Sequence, residues 1–304
     1  MGTPKFALPS LEILVRNSYP VAAVVTQPDR PKGRGKQLVA PPVKMAAISY
    51  NIPVLQPPRI KDSSFLEILE RISPDIIVVA AFGQILPKAV LDFPPLGCIN
   101  VHPSLLPKYR GAAPINWTLI HGEAGTGVTI MYMDEGLDTG DILLQEETDI
   151  APDETFGHLH DRLANLGADL LLKVVQMLEA GQASRKPQDN SRSSYAPMLK
   201  KEDGLIYWNK EVSTIVNRIR GLSPSPGAYT FLDGKTLKIF AATGTEQPVS
   251  GQPGQLGNLT DLGLQVTARN GYVYLKDIQM ENRKRMDVSD FLRGYKLSPG
   301  TVLG

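Results

Sequence analysis

Over the first part of the chain the apolar positions fall into two alternating kinds of segment. Val21–Thr26, Asp75–Ala80 and Cys98–Val101 are short, β-branched and nearly continuous in apolar character, the pattern of strands buried on both faces of a parallel sheet. Between them, Pro42–Tyr50 and Ser64–Arg71 have the amphipathic spacing of helices. Val128–Met133 and Ile142–Gln145 predict a strand pair joined by the loop Asp134–Asp141. A longer helix follows, with Phe156, Leu159, Leu163, Leu166, Leu170, Val174 and Leu178 three or four residues apart. This alternation predicts an α/β fold, a doubly wound Rossmann-like domain over residues 1–183. Gly2-Thr3-Pro4 reads as the loop after a first strand, and Pro9–Arg16 as the helix after that loop. The strand itself is absent, so the numbering is expected to begin at an internal Met; in such a sheet the first strand is normally central.

The pattern changes after residue 183. Residues 184–203 are rich in Ser, Lys and Arg, carry Pro187 and Pro197, and lack apolar periodicity, so they read as a linker. Residues 204–304 predict about five short strands preceded by a helix at Val212–Arg220. Ala228–Leu232 and Lys235–Ala241 flank Asp233-Gly234, and Leu264–Ala268 and Tyr272–Asp277 flank Asn270-Gly271; both are strong hairpin signals. With Gly254–Leu259, the expected architecture is a small OB-like β-barrel, a frequent nucleic-acid platform. A small sandwich fits the same pattern.

Composition narrows the class. The chain has 304 residues, 42% hydrophobic and 21% charged, which suits folded globular domains rather than disorder. No apolar run approaches the ~20 residues of a membrane-spanning helix, and no secretory signal pattern opens the chain. Phe6 stands where a myristoylation site needs Ser or Thr. A single Cys98 excludes an intramolecular disulfide and fits a cytoplasmic setting. The net charge of +1 is a cancellation: residues 204–304 hold 12 Lys+Arg and 8 Asp+Glu, a net of +4, and the rest carries −3.

Candidate chemistry concentrates in Gly97–Asp141. Asn100 and His102 alternate with Ile99 and Val101 before Pro103. Period-two spacing puts both polar side chains on one side of the strand's C-terminal end, where open α/β sheets place their sites. An amide donor beside an imidazole suits a reaction that passes through an oxyanion, although both residues could equally cap a strand end. Asp138, in a tight Gly136–Gly140 loop, is the carboxylate expected near His102; Asp134 and Asp141 read as turn or solvent residues. Cys98, His102 and His121 lack zinc spacing and His158 and His160 diverge on a helix, so no metal site is expected. Ser104 lacks the Gly-rich elbow of a hydrolase nucleophile, and Cys98 reads as a small buried hydrophobe. The second cluster is Gln27–Lys36, where Arg30, Lys32, Arg34 and Lys36 alternate with Pro and Gly in a projecting basic loop. It is either a solvated surface loop or a contact for a polyanion.

The segments Gly2-Thr3-Pro4, QPDRPKGRGK, INVHPSLLPKYRGAAPINW and TGVTIMYMDEGLDTGDIL resemble, in order and spacing, the 10-formyltetrahydrofolate-dependent formyltransferases. The basic loop and the C-terminal domain resemble the branch that acts on methionyl-tRNA, and the similarity covers nearly the whole chain. The resemblance implies formyl transfer from 10-formyltetrahydrofolate to the α-amine of methionylated initiator tRNA, with Asn100, His102 and Asp138 as the catalytic three. It implies a folate site formed by Ser104, Leu105, Leu106 and Pro107, by Phe82, Gly83, Ile85 and Leu86, and by the Glu135–Asp138 loop. It points Arg30, Lys32, Arg34 and Lys36 at the tRNA acceptor end, with Arg34 foremost. Arg218, Arg220, Lys238, Arg283, Lys284 and Arg285 are further candidates for tRNA contact in the second domain. No metal, membrane or obligate protein partner is implied. The alternatives are a folate-dependent formyltransferase acting on a small amine such as glycinamide ribonucleotide or an amino sugar, a catalytically idle RNA-binding protein, and a hydrolase of 10-formyltetrahydrofolate.

Overall fold

In a computed structural model, which describes residues 1–32, 37–298 and 300–304, the chain divides into two compact units. The first comprises Met1–Gly111, Thr126–Thr148 and His160–Tyr195; the second comprises Ala112–Gly125, Asp149–Leu159 and Ala196–Gly304. The division is therefore not a single cut in sequence. Among the described residues, no helix is long and apolar enough to cross a membrane.

The first unit carries a four-stranded sheet in the order Ile77–Val79, Cys98–His102, Gly125–Tyr132, Ile142–Asp149. The first pair is parallel and the second antiparallel. Two further strands, Val24–Val25 and Val54–Leu55, pair in parallel with each other. The helix Phe156–Glu179 buries Leu163, Leu170, Leu171 and Val174 within this unit. Gly167 sets how closely that helix lies on the strand: a Cβ there would stand 2.7 Å from Cγ1 of Val101.

The apolar run 21–26 is strand only at Val24–Val25, and the reason lies beside it. Met1 and Gly2 form one rung between the two pieces of sheet: Gly2 N donates to Val25 O (3.0 Å) and Ala80 N donates to Met1 O (3.0 Å). Gly2 pairs in parallel with Ala80. Beyond that rung the position is a cavity of about 680 Å³, lined by apolar side chains including Leu11, Val24, Val25, Phe65, Ile77 and Leu178. Among the described residues, no strand pairs with 21–23.

The second unit is built on an open sheet in the order Ala228–Leu232, Lys235–Glu246, Gly271–Met280, Gly263–Thr267, Leu256–Thr260, with Met286–Asp287 added alongside Gly271–Met280. Asp233 and Gly234 both adopt positive φ, +49° and +72°, as a two-residue hairpin turn requires. The expected strand at Lys235–Ala241 runs on to Glu246 through a bulge near Ile239–Ala242, which lets it bend. The other hairpin places Asn270 Oδ1 to accept from Val212 N (2.9 Å), capping the helix Val212–Leu222. Trp208, Ile215, Ile219, Ile239, Val266 and Leu275 form the core beneath. Among the described residues the two edge strands, Ala228–Leu232 and Leu256–Thr260, do not pair with each other, so the expected barrel is not closed. Helix Pro114–Ile120 also belongs to this unit and binds Gly221 O through Asn116 Nδ2 (2.8 Å).

Candidate active site

The strand Cys98–His102 has register partners Val79 and Met131 at Asn100, and Thr129 at His102. Cys98, Asn100 and His102 share one face by period-two alternation. His102 is buried, at 3% exposure, and Asn100 is half-buried. Cys98 is buried at the strand's start, where its Sγ donates toward Val90 O and Leu91 O. Burial pushes that thiol up to about 12, so it stays neutral and inert.

His102 Nε2 lies 3.0 Å from Tyr109 O. A carbonyl only accepts, so Nε2 carries the proton and Nδ1 is left as the acceptor of the neutral ring. Nδ1 faces Asp138, with Oδ2 at 3.7 Å, which is beyond hydrogen-bond length but close for an ion pair once a second proton arrives. The tautomer is therefore set by the Tyr109 carbonyl rather than by the carboxylate. Asp138 Oδ2 is itself fixed by Gly111 N (2.8 Å). Asp134 serves the loop, accepting from Gly136 N (3.0 Å) and Thr139 Oγ1 (2.7 Å). Of Asp134, Asp138 and Asp141, it is Asp138 that the loop places against the imidazole.

The expected folate segments differ in exposure. Ser104 and Leu106 are buried, Leu105 and Pro107 half-buried; Phe82 and Leu86 are buried, while Gly83 is exposed and Ile85 is 85% exposed. Two polar side chains that sequence reasoning did not single out, Thr129 and Gln145, hold the 104–108 turn. Thr129 Oγ1 accepts from Leu106 N (3.1 Å) and from Gln145 Nε2 (2.8 Å), and donates to Ser104 O (2.7 Å). Gln145 Nε2 also reaches Leu106 O (2.9 Å). Phe82 and Gly83 border a second cavity, of about 410 Å³, with Thr3, Gln27, Arg30 and Val39.

Arg30 and Lys32 lie in the short strand Arg30–Lys32, which pairs with Gln37–Val39; Arg34 and Lys36 lie outside the described residues. The base of this hairpin is anchored: Lys44 Nζ binds both Asp29 carboxylate oxygens (2.9 and 2.8 Å) and Gln56 Nε2 binds Oδ1 (2.8 Å). The Lys44 bond first, and then Gln56, holds the Asp29 carboxyl below the usual carboxylate range. In the second unit, Arg220 is a correction to the list of tRNA candidates. It is buried, donating to Asn217 Oδ1 (2.9 Å) and toward Ala151 O (3.3 Å). Arg285 is paired with Asp277 and lies over the Phe240 ring, and Lys238 Nζ donates to Pro226 O. Arg283 and Lys284 are exposed.

The chain belongs to the formyl transferase family. Residues 1–175 match the family's formyl transferase domain and residues 198–296 its C-terminal domain. Along its full length the chain is 83% identical to a methionyl-tRNA formyltransferase of Syntrophus aciditrophicus, covering 97% of that protein, and 51% identical to one of Geobacter sulfurreducens, covering 95%. Among solved structures, the sugar 3N-formyl transferase WlaRD, crystallised with dTDP and 5-N-formyl-THF, aligns over 93% of this chain and 97% of its own, with TM-score 0.66 and 20% identity. HypX from Aquifex aeolicus in complex with tetrahydrofolic acid aligns over 91% of this chain and 48% of its own, with TM-score 0.63 and 18% identity. At these identities the two structures attest the fold.

The Thr129 hydroxyl uses its one donor and both acceptor sites. Thr129→Val is expected to leave buried partners unsatisfied and to cost about 1–3 kcal/mol, read as a lower urea midpoint with unchanged m-value.

Proposed function

We propose that this chain transfers the formyl group of 10-formyltetrahydrofolate to the α-amine of methionyl-initiator tRNA, the step that prepares it for translation initiation. The observation that carries the reading is the full-length identity of 83% to a methionyl-tRNA formyltransferase. The small-amine alternative is not favoured, because the similarity to methionyl-tRNA formyltransferases spans the whole chain. The division of labour follows the two matched domains: chemistry in residues 1–183, and tRNA binding by 204–304 on an OB-like platform.

The neutral amine attacks the formyl carbon, forming the new C–N bond while negative charge builds on the formyl oxygen. Asn100 donates a hydrogen bond to that oxygen. The bond from the formyl carbon to folate N10 then breaks, and the proton lost by the amine is returned to N10. His102 carries that proton on Nδ1, the nitrogen left free by the Tyr109 carbonyl. The Asp138 carboxylate at 3.7 Å stabilises the imidazolium formed in between. An α-amine with an ordinary pKa of about 7.7–8.0 is already partly neutral near pH 7, so positioning and oxyanion stabilisation carry most of the rate.

The folate is taken by Ser104, Leu105, Leu106 and Pro107 through backbone groups, with Phe82, Gly83, Ile85 and Leu86 and the Glu135–Asp138 loop. In support, Ile85 and Leu137 are large apolar side chains left 85% and 52% exposed, one on each of the latter two segments. Arg30, Lys32, Arg34 and Lys36 take the acceptor end of the tRNA, whose backbone charge matches the loop. No metal takes part in this scheme.

Formylation of methionyl-initiator tRNA, assayed beside glycinamide ribonucleotide, tests the acceptor; turnover of the small amine alone overturns the assignment. His102→Ala is expected to lower kcat by about 10²–10⁴ and Asn100→Ala by about 10²–10³, with tRNA affinity retained in a filter-binding assay.

A further inference from the structure

The loop that carries Asp138 leaves the sheet at the wrong end for its task. Tyr132 is the register partner of Ile99, and Met133 N donates to Cys98 O. The loop therefore departs beside Cys98, whereas His102 stands four residues further along its strand, about 13 Å away at ~3.3 Å per residue. Strand pairing alone cannot bring Asp138 to the imidazole, and the residue also sits at φ +53°, a region disfavoured without local support.

We infer that Gln188, a residue to which nothing above gives a role in the reaction, is the positioning residue that holds Asp138 against His102. Its Nε2 donates to Asp138 O (2.9 Å) and Gly140 O (2.7 Å). Its Oε1 accepts from Arg110 Nε (3.1 Å) and Nη2 (2.7 Å). Two carbonyls on one side and two guanidinium donors on the other leave one orientation for the amide. Arg110 is the middle residue of a tripeptide that already touches both catalytic side chains, through Tyr109 O to His102 and Gly111 N to Asp138. Gln188 closes this into a ring: His102, Tyr109, Arg110, Gln188, Asp138, Gly111. The segment bearing it is tied down as well, since Arg110 N donates to Ser194 O (2.9 Å), Tyr109 N to Ser194 Oγ (2.9 Å), and Lys186 exchanges two bonds with Ile142 (2.9 Å each). A stretch expected to be a linker is thus part of the catalytic frame.

The inference rests on the proposed role of Asp138, and Gln188→Glu tests it. Glutamate keeps the shape and the Arg110 fork but turns an acceptor toward both loop carbonyls. Expected are a 10- to 100-fold fall in kcat, the scale of a misplacement near 1 Å, with both KM values and Tm unchanged, and no further fall when the change is made in Asp138→Asn. Hydrogen–deuterium exchange over residues 134–141 is expected to quicken in Gln188→Glu, whether or not the parent enzyme formylates methionyl-tRNA. Unchanged exchange, a kcat equal to that of the parent, or an equal fall in both backgrounds would overturn the clamp. An inactive parent with quickened exchange would count against the functional reading and not against the clamp. Should Gln188→Glu fail to fold, Gln188→Asn, which keeps the amide one methylene short, is read in the same two assays.

Discussion

The first unit depends on delivering one carboxylate against the direction of its own strand register. Because Gly125–Tyr132 runs antiparallel to Cys98–His102, the turn that follows it emerges at the end of the sheet opposite to His102. Asp138 nevertheless lies 3.7 Å from Nδ1. A loop of about eight residues has the reach for this but no intrinsic reason to adopt it, since an unanchored loop loses roughly 1–2 kcal/mol of backbone entropy per ordered residue. The bonds from Gly111 and Gln188, with Asp134 and Thr139 inside the loop, supply that reason.

The imidazole is held by the same economy of parts. Tyr109 sits at φ +62° and turns its carbonyl to Nε2, which leaves Nδ1, on the Asp138 side, as the acceptor of the neutral ring. Behind the strand, Gly167 allows the long helix to lie against Val101, so the strand that carries Asn100 and His102 is packed on one face by backbone-close contact. On the other side Thr129, the register partner of His102, fixes the 104–108 turn. One strand position thus links the imidazole to the turn proposed for folate.

Much of this was legible in the sequence. The β-branched runs located the strands, the hairpin dipeptides located the turns of the second sheet, and Asn100 and His102 fell on one face by alternation alone. Asp138 is the carboxylate expected near His102, but nothing in the sequence chooses it over Asp134 and Asp141; the structure does, since Asp134 bonds within its own turn. Thr129 left a faint signal as a polar residue between Val128 and Ile130, whereas Gln145 merely opens the polar half of its strand. Gln188 left none: it stands in a stretch without periodicity, and its value lies wholly in partners about 50 and 78 residues away. Arg220 misled for a similar reason, since a cation in a basic segment reads as surface until packing buries it.

By itself, then, the sequence determined which segments are strands and helices, where most turns fall, and which side chains have the chemistry for acyl transfer, because each of these follows from local periodicity and residue type. Tertiary structure alone decided which acid meets the imidazole, which ring nitrogen is free to take a proton, and that residues 186–195 brace the site. Those outcomes depend on hydrogen bonds between residues far apart in the chain, and such bonds leave no periodic trace in it.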